Sequence, residues 1–147
     1  MLHTRMTIRS VKWTEAEGDI RRIRETVFIK EQNVPEELEW DGLDPDCAHV
    51  LAYDEDGEAV GTGRLRADGH IERMAVLEEW RGRGIGDRLL HKLLDLAREK
   101  GFSRVTLWAQ THAIPFYERH GFQAVGGEFM DAGIPHREMQ VSLDNPG

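Results

Sequence analysis

The sequence Arg81-Gly-Arg-Gly-Ile-Gly-Asp87 decides the fold, because it joins an apolar strand to an amphipathic helix through three glycines. The preceding stretch, Ile71–Leu77, ends in the apolar run Met74–Leu77, which is typical of a central strand. After the glycines, apolar residues recur at helical spacing until Gly101. Because the first N–H groups of a helix have no intrahelical partner, a strand, a glycine-rich turn and a helix together predict an anion site.

Two common nucleotide-binding motifs do not fit this turn. A Walker loop requires Lys followed by Ser or Thr after its last glycine, and Gly86 is followed by Asp87. A dinucleotide-binding fingerprint fits Gly82 and Gly84, but Asp87 stands where it requires a third small residue. Only about 60 residues follow, which is too few for a dinucleotide-binding fold. A plain strand–helix connection stays open as the alternative to an anion site.

Composition limits the class of protein. The 147 residues suffice for a single compact domain, 1–147, with a sizeable core. With 19 Lys and Arg against 27 Asp and Glu, the net charge of −8 argues against a nucleic-acid partner. The single cysteine, Cys47, allows neither an intrachain disulfide nor a cysteine zinc cluster, and is interpreted as a buried, inert thiol. Without a membrane-spanning run or a signal peptide, we expect a cytoplasmic protein with no membrane partner and no metal.

Hydrophobic periodicity predicts an α/β (α+β layered) domain, in which a single mixed, mostly antiparallel twisted sheet is flanked by helices on both faces. A long acidic segment from Glu31 to Cys47 is expected to be irregular. An open sheet has edges to cover, which is compatible with a homodimer. Strands are predicted at Met6–Val11, His49–Tyr53, Ala59–Leu65, Ile71–Leu77, Val105–Ala109, Phe122–Val125 and His136–Leu143, and helices from Thr14 to about Phe28, from the glycine turn to Gly101, and at Ala113–His120.

Two motifs resemble those of one enzyme superfamily. Arg81-x-x-Gly84-x-Gly86 resembles the [QR]-x-x-G-x-[GA] motif of the GNAT N-acetyltransferases, which binds the pyrophosphate of acetyl-CoA. About 25 residues downstream, Ala113-x-x-Phe116-Tyr117-Glu118-x-x-Gly121-Phe122 resembles their second motif. The resemblance extends from Met6 to Leu143. It is closest to an ElaA/YjcF-like branch, on the strength of Val27-Phe28-x-x-Glu31-Gln32, Glu39-x-Asp41-x-x-Asp44, His49, Ala109-Gln110 and Gly133-Ile134-Pro135-His136 followed by Met139.

This resemblance implies a GNAT-like fold and direct transfer of an acetyl group from acetyl-CoA to a primary amine within one ternary complex. Tyr117 would protonate the departing thiolate, since a phenol stays protonated at neutral pH. Gln110 stands where many members carry Asn. The residues implied to bind the acyl donor are Met74, Ala75, Val76, Arg81, Gly82, Arg83, Gly84, Ile85, Gly86, Asp87, Gln110, Ala113 and Phe116.

The general base and the acceptor are left open by the sequence. His70 and Glu72 lie two apart on a strand and share a face, which makes both candidates for catalysis. His112 and His136 are further candidates on the acceptor side. The acidic residues Glu39, Asp41 and Asp44 are expected to line the acceptor site and attract a cationic amine.

Two other functions are compatible with the same motifs. One is a non-catalytic acyl-CoA-binding sensor or interaction module on the same fold. The other is an O-acyltransferase or an enzyme for longer acyl chains, with Trp108 and Phe129 limiting chain length.

Overall fold

A computed structural model describes residues 5–143. Its seven strands form one sheet in the order β1-β2-β3-β4-β5-β7-β6. Neighbouring strands are antiparallel except β4 and β5, which are parallel, so the predicted mixed, mostly antiparallel sheet is confirmed. The strands are β1 (Thr7–Val11), β2 (Ala48–Tyr53), β3 (Ala59–Leu65), β4 (His70–Val76), β5 (Arg104–Gln110), β6 (Gln123–Asp131) and β7 (Ile134–Ser142).

In the described part of the chain, four α-helices accompany the sheet: α1 (Trp13–Arg24), α2 (Glu36–Glu39), α3 (Ile85–Glu99) and α4 (Ile114–Glu118). Helix α1 continues as a π-helical segment, Glu25–Glu31, beyond the predicted end near Phe28. The acidic segment is more ordered than predicted, because α2 and a 3₁₀ turn, Asp44–Asp46, lie within it. Between residues 5 and 143, no helix is long and apolar enough to cross a membrane.

Strand β3 is buried on both faces and forms the centre of the core. On one face Gly61 and Gly63 let α3 approach closely. A Cβ at these positions would lie 3.0 Å from Cδ1 of Leu89 and 2.9 Å from Cδ1 of Leu93. Arg64, the residue after Gly63, points to the other face, where an ion-pair network connects it to α1. Helices therefore cover both faces of the sheet, as predicted.

Strands β4 and β5 share a very short ladder. They pair only at His70–Thr106 and Ile71–Leu107. Further along β4, Gly63 of β3 faces two residues, Arg73 and Met74, because the register shifts between Thr62 and Arg64. This β-bulge places Arg73 at a left-handed φ of +58°. Residues 74–76 consequently pair with β3 on one side and leave their other edge free of the β5 ladder.

The β6–β7 hairpin is longer than the sequence predicted. Asp131 pairs with Ile134 across a two-residue turn, in which Ala132 has φ +52° and Gly133 has φ +77°. Two positive φ values are the signature of a type I′ turn, where glycine or asparagine is usual and alanine is strained. Both strands were predicted, but not their extension to this turn, because Ala-Gly is an unusual turn sequence and the glycine pair 126–127 interrupts the alternation of β6.

Candidate active site

A cleft of about 490 Å³ opens where β4 and β5 separate. Its walls come from the π-helical segment, β4, the end of β5, α4 and the β6–β7 hairpin. Many of the residues singled out from sequence meet here, although they come from distant parts of the chain. The cleft is lined by the predicted residues Glu39, His70, Glu72, Met74, Ala75, Val76, Arg81, Gln110, His112, Ala113, Tyr117 and His136.

The glycine turn leads from one end of the cleft into α3. Gly82 and Gly84 have φ +77° and +79°, which only glycine adopts without strain. Gly84 is the N-cap of α3, and no side chain from residues 5–143 caps the first N–H groups of this helix. A Cβ at either glycine would meet nothing within 4 Å, so the turn is surrounded by open space. An uncapped helix N-terminus beside open space fits a phosphate-bearing ligand.

The two arginines of the turn are less available than the sequence suggested. Arg81 donates to both carboxylate oxygens of Glu31, at 2.8 and 2.9 Å, and to the carbonyl of Val76. The Arg83 guanidinium lies 4.6 Å from the centre of the Trp80 ring. The charge of Arg81 is therefore balanced by Glu31, and its side chain joins the end of β4 to the π-helical segment.

The remaining turn residues attach α3 to its surroundings. Gly86 faces the Phe116 ring, 3.5 Å from where a Cβ would be. Asp87 lies 2.7 Å from the imidazole of His120, at the end of α4. Ile85 is buried in the core. These contacts fix the start of α3 against α4, the helix that carries Tyr117.

Tyr117 lines the cleft beside β4. Its hydroxyl lies 4.0 Å from the sulfur of Met74, and its ring packs edge-on against Phe116 and Phe122. Burial raises the pKa of Tyr117 to about 12. The phenol is therefore protonated at neutral pH and can donate a proton to a group in the cleft.

His70 and Glu72 do lie close together, but each is already bound to protein. His70 Nδ1 is 2.9 Å from the hydroxyl of Thr106, and its Nε2 is 3.8 Å from a Glu72 oxygen. Burial lowers the pKa of His70 despite the nearby carboxylate, which favours the neutral ring. Glu72 accepts hydrogen bonds from Nε and Nη2 of Arg64, so its charge is compensated.

The acidic segment forms a buried ion-pair network with two arginines that are almost fully inaccessible, Arg24 and Arg64. Arg24 binds Glu39 at 2.7 Å and Asp44 at 2.6 Å. Arg64 binds Asp44 at 2.8 Å and Asp41 at 2.6 Å. Of the three expected acceptor residues only Glu39 lines the cleft. Asp41 and Asp44 attach the segment to the sheet, and their charges are compensated rather than presented to an acceptor.

This network also shifts the pKa values of the carboxyl groups that belong to it. Burial opposes ionisation of Asp41, but hydrogen bonds from Arg64 and the Leu43 N–H outweigh it and lower the pKa to about 2. Burial likewise opposes ionisation of Asp44, and the hydrogen bonds and charges of Arg24 and Arg64 lower its pKa overall. The neighbouring Cys47 is only partly buried, so the expectation of a buried thiol was wrong. This partial burial still raises the pKa of the thiol to about 11, in keeping with an inert thiol.

An aromatic row crosses the cleft face of the sheet. The rings of His70 and Trp108 are 5.4 Å apart, those of Trp108 and Phe129 5.1 Å, and those of Phe129 and His136 6.0 Å. Trp108 is 48% exposed, although it lies in a central strand. We call these four residues the aromatic row. An exposed aromatic surface inside a cleft is suited to an apolar or cationic ligand.

Sequence reasoning missed part of the lining. Asp131 lies at the turn of the β6–β7 hairpin, and within residues 5–143 its carboxylate has neither an ion-pair nor a hydrogen-bond partner. Gln32 accepts a hydrogen bond from Gln110 at 3.0 Å. Arg73 and Phe28 also line the cleft. The signal for Asp131 was its position two residues before the Gly133–His136 motif.

Comparison with known proteins places this geometry in a family. The sequence model of the Acetyltransferase (GNAT) domain matches residues 14–143. The chain belongs to the GNAT acetyltransferase family. It is 44% identical over 121 residues to the uncharacterized N-acetyltransferase YjcF of Bacillus subtilis, covering 80% of this chain and 86% of the relative. It is 34% identical to Escherichia coli ElaA over 123 residues, covering 78% and 80%.

Solved GNAT structures agree with the fold. The crystal structure of Escherichia coli ElaA superposes with a TM-score of 0.83 at 28% identity, covering 94% of this chain and all of the other, 100%. An acyl-CoA N-acyltransferase from Pseudomonas aeruginosa superposes with a TM-score of 0.79 at 29% identity, covering 95% and 100%. The expected GNAT fold and the resemblance to the ElaA/YjcF-like branch are both confirmed.

A GNAT acetyltransferase takes its acyl group from an acyl-CoA and passes it to an acceptor. The residues present fit such a donor. The uncapped start of α3 can accept the pyrophosphate, and the free edge of residues 74–76 can pair with the amides of the pantetheine arm. Tyr117 stands beside that edge, next to Met74.

Proposed function

We propose that this GNAT enzyme transfers an acetyl group from acetyl-CoA to the primary amine of a small molecule or peptide, by direct attack in a ternary complex. The observation that carries the proposal is the shared cleft: the free edge of Met74–Val76, the start of the glycine turn at Arg81 and the Tyr117 phenol all border it. One ligand can therefore contact all three, and the aromatic row leaves room for a second.

The donor half of the cleft supports polarisation of a thioester. Beyond Ile71, β4 has no ladder with β5, so those backbone groups of residues 74–76 that point away from β3 are available to a bound amide or carbonyl. A preorganised N–H stabilises the negative charge that develops on the carbonyl oxygen during attack. The bulge at Arg73 supports this function because it turns the strand where the thioester would lie.

The chemical step then requires two proton transfers. The amine nitrogen attacks the thioester carbon, a C–N bond forms, and the carbonyl electron pair moves to oxygen. Collapse of the tetrahedral intermediate breaks the C–S bond and releases a thiolate. The Tyr117 hydroxyl gives its proton to that thiolate, because burial keeps the phenol protonated. The attacking neutral amine loses one proton, and an amine that binds as a cation loses another before attack; the products are an amide and free CoA thiol.

The acceptor half of the cleft supports a cationic amine with an apolar body. The aromatic row offers ring faces and edges, and Trp108 is 48% exposed. The carboxylates of Glu39 and Glu72 are paired with arginines, whereas Asp131 has no ion-pair partner among the residues described. Asp131 therefore supplies uncompensated negative charge to this half, and replaces Asp41 and Asp44 in that role.

The test is a thiol-release assay with a library of primary amines and with acetyl-, propionyl- and succinyl-CoA as separate donors. We expect amine-dependent release of CoA thiol with acetyl-CoA, and the N-acetylated amine as the product by mass spectrometry. Reactions without amine measure hydrolysis and serve as the control. Tight binding of acetyl-CoA without turnover of any amine would contradict the proposal and favour the acyl-CoA sensor. Faster turnover of a longer donor would contradict the choice of acetyl.

A further inference from the structure

We propose that His136 is the general base of the reaction, and that its Nε2 takes the proton from the attacking amine. The inference rests on the proposed function and assigns the general base, which the proposed function does not identify. Four groups at the cleft are candidates: His70, Glu72, His112 and His136. Their hydrogen bonds distinguish them.

The tautomer of His136 is fixed by its partner. Nδ1 lies 2.7 Å from the carbonyl oxygen of Ile134, and a carbonyl only accepts hydrogen bonds. Nδ1 must therefore carry the hydrogen, which leaves the lone pair of the neutral ring on Nε2. Within the described residues Nε2 has no hydrogen-bond partner, although His136 lines the cleft. The unprotonated nitrogen is thus available to a ligand.

Packing holds this nitrogen in place. His136 is 7% exposed and stacks on Phe129 with 23° between the ring planes. From β7 it pairs with Gln110 of β5, so it lies on the same face of the sheet as Trp108, two residues before Gln110. A base whose orientation is fixed before the substrate binds loses little freedom on reaction.

The other three candidates are occupied or exposed. Glu72 is bound by Arg64 through two nitrogens. The Nε2 atom of His70 lies 3.8 Å from the Glu72 carboxylate, which favours a hydrogen on Nε2, while Nδ1 contacts the Thr106 hydroxyl. Neither presents a lone pair to the acceptor. His112 donates from Nε2 to the side-chain amide oxygen (Oε1) of Gln110 at 2.8 Å, and its ring is exposed to solvent.

The proton balance closes with Tyr117. An amine that binds as a cation first gives one proton to Nε2 of His136, which passes it to solvent, because only the neutral nitrogen has a lone pair for attack. As the C–N bond forms, a second proton passes from the nitrogen to Nε2, which becomes an imidazolium. An amine that is already neutral needs only this second transfer. The thiolate takes the phenolic proton of Tyr117. The imidazolium then returns its proton to solvent and the phenolate regains one, so both side chains end in their starting states. No oxidant, reductant or further reactant is required.

The first test uses two probes of matched shape, 2-phenylethylamine and O-benzylhydroxylamine, chosen because the aromatic row suits an aryl group. The first is protonated at neutral pH, whereas the amino group of the second is already neutral. In His136→Asn the amide nitrogen can still donate to the Ile134 carbonyl, but no base remains. We expect kcat with 2-phenylethylamine to fall about 100-fold or more, and with O-benzylhydroxylamine by about tenfold at most.

His91→Asn, at an exposed position of α3 outside the cleft lining, is the matched control, and its kcat is expected to stay at the wild-type value with both probes. Equal losses with both probes in His136→Asn would indicate a structural role and overturn the assignment, as would an unchanged kcat. Adding imidazole to His136→Ala should restore turnover of 2-phenylethylamine. A wild-type protein that turns over no amine at all overturns the proposed function, which is a different result from equal losses in the variant.

A second measurement does not depend on turnover. Nitrogen-15 NMR of the wild-type protein labelled at histidine distinguishes the two neutral tautomers, and His136→Asn identifies the signal. We expect the His136 ring at pH 7.5 to carry hydrogen on Nδ1 and none on Nε2. A hydrogen on Nε2 would overturn the assignment whatever amine the enzyme accepts.

Discussion

Arg73 and Glu39 form an ion pair across the bulge of β4. Arg73 Nε lies 3.2 Å from Glu39 Oε2, while the Arg73 backbone adopts φ +58°. A left-handed φ at a non-glycine residue costs about 1–3 kcal/mol and persists only where the surroundings impose it. Glu39 supplies that restraint because it also binds the buried Arg24. The acidic segment thus determines the shape of the strand edge that borders the cleft.

Glu39→Gln should lower the free energy of unfolding by about 3 kcal/mol, because it leaves the buried Arg24 with one carboxylate partner in place of two. Urea denaturation measures the change. The matched control is Glu37→Gln, on the same short helix but exposed, where we expect a change within about 0.5 kcal/mol. A loss below about 1 kcal/mol in Glu39→Gln would mean that Asp44 alone satisfies Arg24.

The free energy of unfolding should fall as the pH drops from about 4 to 2. The pKa of Asp41 is about 2 in the folded protein, whereas an unfolded aspartate takes up its proton near pH 3.9. Below that pH the unfolded state binds more protons, so acid favours unfolding. Urea denaturation at pH 5, 4 and 3 measures the slope. Asp41→Asn should have a shallower slope, and an equal slope would contradict the role of Asp41.

Gly84→Ala should weaken acetyl-CoA binding and also destabilise the fold by about 1–2 kcal/mol, since Gly84 has φ +79°. Calorimetric titration and thermal unfolding measure the two effects. Gly57→Ala is the control: Gly57 has φ +80° in the β2–β3 turn and meets nothing within 4 Å of a Cβ. We expect a similar loss of stability there with unchanged binding. Equal affinity in both variants would remove the glycine turn from the donor site.

Tyr117→Phe should lower kcat by about 100-fold while acetyl-CoA still binds, because only the proton donor is lost. Steady-state kinetics and calorimetric titration separate the two effects. Tyr53→Phe is the control, since Tyr53 is the other tyrosine and lies in β2, outside the cleft lining. An unchanged kcat in Tyr117→Phe would leave the thiolate to be protonated by solvent.

Asp131→Asn should raise the KM for cationic amines several-fold and leave the affinity for acetyl-CoA unchanged, because it removes uncompensated charge from the acceptor half. Adding salt should reduce the difference between variant and wild type, since the attraction is screened. Glu55→Gln removes the same charge from the distant β2–β3 turn and is the control. A KM that changes equally in both variants would indicate a general effect of net charge.

The parts of the site that could be predicted from sequence are those encoded locally. The glycine turn, Tyr117 and the strand Met74–Val76 are recognisable because neighbouring residues set their conformation. Most of the predicted strands and helices lie where periodicity placed them. The family resemblance then linked the glycine turn to the motif around Tyr117, whose relative positions in space no local pattern predicts.

The pairing of the acidic segment's carboxylates with arginines could not be predicted. The partners of Asp44 lie in α1 and β3, twenty residues before and after it in the chain. The same holds for Arg81, whose charge is balanced by Glu31, fifty residues away. Charge in a sequence is visible, but its neutralisation depends on tertiary contacts. Asp131 lines the cleft because β6 and β7 extend to a tight turn at Ala132 and Gly133. The sequence did not indicate this turn, because alanine is unusual at a positive φ such as that of Ala132.

The short ladder between β4 and β5 has a mechanical consequence. Strands β1–β4 and β5–β7 form two sub-sheets that share only two residue pairs, so little hydrogen bonding resists their separation. A ligand that pairs with residues 74–76 on one side and contacts the end of β5 on the other would bridge the two strands where they are not hydrogen-bonded to each other. Donor binding is thereby coupled to local opening, and it should slow amide hydrogen exchange along both strands well beyond the atoms it touches.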